Sequence, residues 1–276
     1  AWDVTTGSRR VVVAVLDTGV LFDHPDLRRA AAGGKLLPGY DFVSDTAISN
    51  DGDGRDPDPS DPGDWVSSAD KQSPVFTNCD VADSSWHGTH IAGIVGGLSN
   101  NSEGVAGIGW TNWVLPVRVL GKCSGRDSDI LAAMAWSAGL LVTNGAVPPA
   151  NNTPARIINL SLGSPGTCTP AYRELIAQLR ARGVSVFAAA GNDSGAVVEP
   201  ANCPGAIAVG GVRHVGTKVG YSAHGAQVAI AAPAGNCGQL TGPCLYPIVS
   251  TDNAGTTTPG AMEYDGKLGT SFSTPI

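Results

Sequence analysis

The feature that most constrains the fold of this chain is a rhythm. Short apolar runs, each closed by a small or turn-forming residue, alternate with segments of helical pattern. The first run is "VVVAVL" at residues 11–16, ended by Asp-Thr-Gly. "WVLPVRVL" (113–120), "ARIINLSL" (155–162), "GVSVFAAAG" (183–191) and "AIAVGGV" (206–212) repeat it. Unbroken runs rich in Val and Ile suit strands covered on both faces. Between them, "SDILAAMAWSAGLLV" (128–142) begins with a Ser/Asp cap and carries apolar residues at helical spacing. "TPAYRELIAQLRARG" (169–183) has Pro170 near its start, Glu174 early, Arg180 and Arg182 late, and Gly183 as its stop. Strands alternating with helices predict an α/β protein: a three-layer, doubly wound fold around a mostly parallel central sheet.

Residues 44–86 break the rhythm. "SNDGDGRDPDPSDPGDW" is Asp, Gly and Pro with almost no apolar content. It reads as a long acidic surface insertion within one domain, with too few apolar residues for a core of its own. The whole chain has 276 residues, 42% of them hydrophobic and only 15% charged, with a net charge of −7. That supports a packed core and argues against nucleic acid, which needs clustered Lys and Arg. No apolar stretch approaches the ~18 residues that would span a bilayer, so no membrane partner is expected. The opening "AWDVTTGSRR" has no initiator Met or signal pattern and reads as the start of a processed or excised piece.

The six cysteines are Cys79, Cys123, Cys168, Cys203, Cys237 and Cys244. None forms C-x-x-C or stands near a His at metal spacing. Their even count and wide scatter favour disulfides in an oxidising compartment over a zinc site, the alternative being buried free thiols. Composition leaves the connectivity open.

Four stretches carry chemistry. Asp17 ends the first strand, with Gly19 allowing a tight turn; alone it is an ordinary strand-ending Asp. "DSSWHGTHIAGIVGG" places His87 at the start of a helix rich in small residues, which suits a closely held imidazole. His87 and His90 are three apart, but Gly88 and Thr89 stand where a zinc-type H-E-x-x-H helix needs its carboxylate. "VFAAAGNDSG" sets Asn192 at a strand end among tiny residues, where its amide is a donor or simply a turn former. "GTSFSTP" places Ser271 where a helix begins, as a nucleophile or as a cap.

Taken together, "VLDTG", "HGTHIAG", "AAAGN" and "GTSFSTP" occur in the order Asp, His, Asn, Ser. They closely resemble the subtilisin-like serine peptidases, the subtilases. "HPDL", "NNSEGVAGI", "PVRVL", "NLSLG" and "AIAVGGV" extend the resemblance across essentially the whole chain. It is strongest toward the secreted extracellular proteases of Gram-negative bacteria.

The resemblance implies a secreted serine endopeptidase that cleaves extended polypeptides through an acyl-enzyme and is made as a zymogen whose propeptide is removed. Ser271 would be the nucleophile, His87 the base and Asp17 its orienting carboxylate. Asn192 and the Ser271 backbone N–H would form the oxyanion hole. Ser124, Gly125, Leu160, Ser161, Leu162 and Gly163 would form the substrate edges, with substrate added as a strand. The S1 pocket would lie between Leu162-Gly163-Ser164 and Ala188, Ala189, Ala190 and Gly191. Its small walls would leave room for a sizeable apolar side chain, while Val198 would make its floor shallower and Glu199 near its rim would favour a basic residue.

Calcium is the expected ion. The resemblance points to Asp26 of "HPDL" and Asn101 of the loop after the His helix. A second candidate set is Asp51, Asp53, Asp56, Asp58, Asp61 and Asp64, whose spacing departs from the EF-hand pattern and which is otherwise a solvated acidic loop. Laid on the family fold, the disulfides expected are Cys79–Cys123, Cys168–Cys203 and Cys237–Cys244. Family domains continue beyond both ends, so residues 1–276 are expected to be an incomplete catalytic domain. Its remaining fragment would be a second, noncovalently held chain, a further stretch of polypeptide, or absent. Two other classes stand beside this one. A catalytically silent, subtilase-like binding protein would require a lost triad member. An esterase or amidase on small substrates would not need the extended edges. No strand is followed by G-x-G-x-x-G, which removes a dinucleotide site.

Overall fold

The computed structural model describes residues 2–143, 145–236 and 245–276. Its strands are β1 (Val12–Asp17), β2 (Tyr40–Asp41), β3 (Trp113–Arg118), β4 (Ile157–Leu160), β5 (Ser185–Ala189), β6 (Ile207–Val212), β7 (Val228–Pro233), β8 (Ile248–Asn253) and β9 (Met262–Lys267). The α-helices are α1 (Thr46–Ser49), α2 (His87–Gly96), α3 (Asp127–Ser137), α4 (Pro170–Ala181) and α5 (Thr270–Ser273). Strands β1 to β7 form one sheet in the order β2-β3-β1-β4-β5-β6-β7. All its pairings are parallel, as continuous apolar runs joined by helices require.

Alternation along the strands builds two cores. Ala14 and Leu16 of β1 turn to one face, with Ile130 and Ala133 of α3 and Ile176 and Leu179 of α4. Val15 turns to the other, with Ile91, Ala92 and Val95 of α2 and Phe272 of α5. Each buried Val, Leu or Ile stabilises the fold by about 1.5–3 kcal/mol, so both faces of β1 are anchored. The layers are therefore helix, sheet and helix, as the sequence implies. From β1 the chain winds to β3 and β2 on one side and to β4 through β7 on the other. Asp17 thus ends a strand at the switch point of the winding, where open α/β sheets form their crevices.

The antiparallel hairpin β8–β9 lies across α2. Ser250 Oγ donates to the His90 carbonyl at 2.9 Å and Thr251 Oγ1 to the Thr89 carbonyl at 2.7 Å. A Cβ on Gly93 would run into both hydroxyls, which explains the small residues of this helix.

Three sequence expectations need correction. The helix expected over 128–142 ends at Ser137, because Gly139 turns the backbone to φ 77. Its N-cap is Arg126, without a side-chain cap. The strand expected to reach residue 120 stops at Arg118. The insertion does hold a small apolar cluster, in which its Ile48, Val66, Phe76 and Cys79 pack with Val43 just before it. The Cys79–Cys123 disulfide and the buried Arg118 tie it to the sheet; the guanidinium pairs with Asp41, and with Asp51 at 2.5 Å. Buried ion pairs and a cystine do there what apolar residues do elsewhere.

Candidate active site

Asp17, His87, Asn192 and Ser271 converge at the carboxyl end of the sheet. Asp17 is 1% exposed at the end of β1. Its Oδ1 lies 2.7 Å from His87 Nδ1 and also accepts the Thr18 backbone N–H at 2.9 Å. His87 is the first residue of α2, and a Cβ on Gly88 would meet the Gly19 carbonyl and Asp17. Only glycine lets this helix start come so close to the end of β1. Burial alone would lower the imidazole's pKa, but the charge of Asp17 and its hydrogen bond outweigh that and raise it. The second histidine behaves oppositely. His90 is buried, its Nε2 lies 3.1 Å from the Asp265 carbonyl, and burial with the charge of Lys267 pushes it down to about 3. It stays neutral, and both imidazoles pack against the Phe272 ring, at 4.7 Å for His90 and 5.2 Å for His87.

Ser271 sits in the first turn of α5, after Gly269 at φ 143. Its Oγ donates to the Ser161 carbonyl at 3.0 Å, and Ser161 Oγ donates to the Ser271 carbonyl at 2.7 Å. Asn192 Oδ1 accepts from Thr270 N at 2.9 Å and Thr270 Oγ1 at 3.0 Å. Those two bonds fix the amide so that Nδ2 is left to donate elsewhere.

His87, Asn192 and Ser271 line one cleft of about 880 Å³. Of the expected substrate edges, Ser124, Gly125, Ser161, Leu162 and Gly163 line it, with Ala189, Gly191 and Val198. Leu160, Ala188 and Ala190 do not; they are buried in the core under α3 and α4. The pleat decides this, since alternate residues of β5 face opposite layers and Ala189 alone of the three alanines opens to the cleft. Val198 is wedged between the two walls: a Cβ on Gly163 would lie 2.6 Å from one of its methyls, and a Cβ on Gly191 would lie 2.9 Å from the other. Glu199 is 6% exposed at the cleft wall, with Oε1 accepting the Thr169 N–H at 2.5 Å.

The insertion supplies wall residues that sequence reasoning did not assign to substrate. Asp64, Val66, Asp80, Ala82, Asp83 and Ser85 line the cleft beside His87. The signal for them was the position of Cys79, which fixes this segment to Cys123 at the rim. A second disulfide joins Cys168 to Cys203 behind the opposite wall. The expected Cys237–Cys244 pair lies outside the described residues.

Of the calcium candidates, Asp26 is fully buried and has no ion-pair partner among the described residues. Its oxygens accept Asn101 Nδ2 at 2.5 Å and the Val105 N–H at 2.9 Å. A buried carboxylate with no direct ion pair, near the Lys35 ammonium that feels its charge, is the type of ligand a hard cation takes. The 51–64 set does not assemble. Asp51 pairs with Arg118, Asp56 accepts from Asp58 N, and Asp58 takes Ser60 and Arg29. Asp61 takes Thr18 and Gly63, and Asp64 takes Ser85. Among the described residues, no three acidic side chains of this set bring ligand atoms within 4.8 Å of one another.

Residues 8–276 match the model of the subtilase family. The chain is 42% identical over 277 residues to an extracellular protease of Xanthomonas campestris pv. campestris, covering 100% of this chain and 43% of that protein. It is 38% identical to an extracellular basic protease of Dichelobacter nodosus, covering 99% of this chain and 42% of the relative. It therefore spans less than half the length of these two relatives. Among solved structures, one titled as proteases from Pseudoalteromonas arctica superposes with a TM-score of 0.86 at 41% identity, over 99% of this chain and 76% of the other. Sheet order, site geometry and these likenesses agree, and the chain belongs to the subtilase family.

Proposed function

We propose that this chain is the catalytic part of a secreted serine endopeptidase. The observation that carries the reading is the convergence on one cleft of a carboxylate-bound imidazole, a serine at a helix start and an oriented amide. In this mechanism Ser271 turns its hydroxyl from the Ser161 carbonyl toward His87 Nε2 and attacks the scissile carbonyl. The proton passes to Nε2 and then to the leaving amine. Asp17 holds Nδ1–H and offsets the imidazolium charge. Asn192 Nδ2 and the Ser271 N–H stabilise the tetrahedral oxyanion, a term worth roughly 10²–10³ in rate per donor. Water then releases the acyl group by the same route in reverse.

An extended polypeptide suits the cleft, because Ser124–Gly125 and Leu162–Gly163 offer two backbone edges for strand addition. Relatives called extracellular and two disulfides support an oxidising, external compartment. Among the described residues, no helix is long and apolar enough to cross a membrane. A propeptide removed on maturation belongs to this reading. Calcium, where bound, would be held by Asp26 and Asn101, neutralising that carboxylate and stiffening the loop after α2.

A fluorophosphonate probe followed by peptide mapping tests the assignment. One adduct on Ser271, with proteolysis abolished, is the expected outcome. A folded, proteolytic protein labelled elsewhere would refute it.

A further inference from the structure

Helix α2 begins with one local side-chain bond, Ser85 Oγ accepting the His87 N–H at 3.3 Å. Trp86, at its N-cap, makes no capping bond, its indole N–H donating instead to the Gly255 carbonyl at 2.6 Å, although the first N–H groups of any helix lack internal partners. The acceptor for the next N–H comes from another element. Thr18 Oγ1 accepts the Gly88 N–H at 3.0 Å. Thr18 follows Asp17 directly, so its hydroxyl joins the strand end that carries Asp17 to the helix turn that carries His87.

That hydroxyl has one hydrogen to place, and Asp61 receives it: Thr18 Oγ1 donates to Asp61 Oδ2 at 2.6 Å. Asp61 is 2% exposed. Its other oxygen accepts the Gly63 N–H at 2.9 Å, and its own N–H donates to the Val20 carbonyl at 3.2 Å. The backbone around it is close-packed as well. Val20 N–H donates to the Pro59 carbonyl at 3.1 Å, and a Cβ on Gly19 would meet that same carbonyl at 2.8 Å. The acidic insertion thus meets the underside of the Asp-Thr-Gly turn through backbone bonds to Val20 and through the buried Asp61 carboxylate.

We propose, resting on the catalytic reading of Asp17 and His87 above, that Asp61 is a positioning residue for that pair, acting through the Thr18 hydroxyl. A carboxylate can accept from both Thr18 and Gly63. An amide at the same place has one acceptor and one donor and cannot serve both. With Asp61 satisfied, the Thr18 hydrogen points away from α2 and its lone pair is held toward Gly88 N–H. Without it the hydroxyl is free to rotate, the cap is lost for part of the time, and the imidazole drifts relative to Asp17 and Ser271. The insertion then serves the reaction as well as the cleft wall.

The test is a double-mutant cycle on the intact protein, with kcat and KM measured on a peptide substrate. Asp61→Asn and Thr18→Val are each expected to lower kcat roughly 10- to 100-fold with KM within about twofold, as a small displacement of a catalytic group does. The double variant is expected to be no slower than the slower single one, because both remove the same link. Thr18→Ser, which keeps the hydroxyl, is expected to retain wild-type kcat. If Asp61→Asn does not fold, the contrast of Thr18→Val with Thr18→Ser decides. Wild-type kcat in a folded Asp61→Asn, effects that multiply in the double variant, or equal losses in Thr18→Ser and Thr18→Val would each overturn the proposal. Ser271→Ala in the same assay separates the two levels. If it is inactive while Asp61→Asn is normal, only the role of Asp61 falls. If it keeps its activity, the catalytic reading falls and the role of Asp61 with it.

Discussion

Ser271 and Ser161 hold each other by a reciprocal pair of hydrogen bonds: each hydroxyl donates to the other's backbone carbonyl, at 3.0 and 2.7 Å. The helix that carries Ser271 is thereby fastened to the strand end after β4, at the cleft wall. Asn159 Nδ2 adds a third bond, to Ser161 Oγ at 2.9 Å. Ser161→Ala keeps the carbonyl that receives Ser271 but leaves the Ser271 carbonyl and the Asn159 amide without this partner. Each lost buried bond costs about 1 kcal/mol. Steady-state kinetics of the alanine variant should show kcat reduced roughly 3- to 10-fold with a smaller change in KM.

The pH profile follows from His87. It acts as a base only when neutral, so kcat/KM rises as pH passes upward through its pKa. Because Asp17 raises that pKa, the acid limb should have its midpoint above the ordinary histidine value of 6.5. Lys267 opposes protonation of the ring, so Lys267→Gln should move the limb to still higher pH. A limb shifted downward in that variant would contradict the assigned electrostatics.

The fold was largely legible because its central strands are buried on both faces and so are written as unbroken apolar runs. β8 and β9 were not, since "IVSTDN" and "MEYDGK" spend their polar side chains on α2 and on solvent. β7 escaped as well. Its described residues are half-buried or exposed, so the run carries less of the core pattern than β1 or β4 does. At the site, Asp17, His87, Asn192 and Ser271 were legible through the residues around them, chiefly glycines and alanines that permit close approach. What sequence could not resolve was face. Leu160, Ala188 and Ala190 alternate with residues that do line the cleft, and one-residue parity is invisible without the sheet's register. Nor could it separate Asp61, turned inward to Thr18, from the five other aspartates around it.

Substrate preference should follow Val198. Its two methyls lie against Gly163 and Gly191, so on the proposed reading they would make the pocket for the side chain before the scissile bond shallow. Wild-type protein should prefer small or medium apolar side chains there. Val198→Gly should shift preference toward large aromatic ones, read by profiling cleavage of a peptide library. The gain per added group should be about 1–3 kcal/mol in kcat/KM terms.

The Cys79–Cys123 bond closes a 44-residue separation between the insertion and the substrate rim. Replacing both cysteines by serine should lower stability by about 2–4 kcal/mol in denaturant unfolding. It should also raise KM more than it lowers kcat, because the wall carrying Val66 and Ala82 is released while Asp17, His87 and Ser271 keep their own bonds.

The central claim is that Ser271 is the attacking group. Its most direct measurement is hydrolysis of a denatured protein by purified Ser271→Ala, with folding checked by circular dichroism. A folded variant whose turnover falls by a factor of roughly 10⁴ or more is the expected result. A folded variant that still cleaves at a rate near that of the wild type would contradict it.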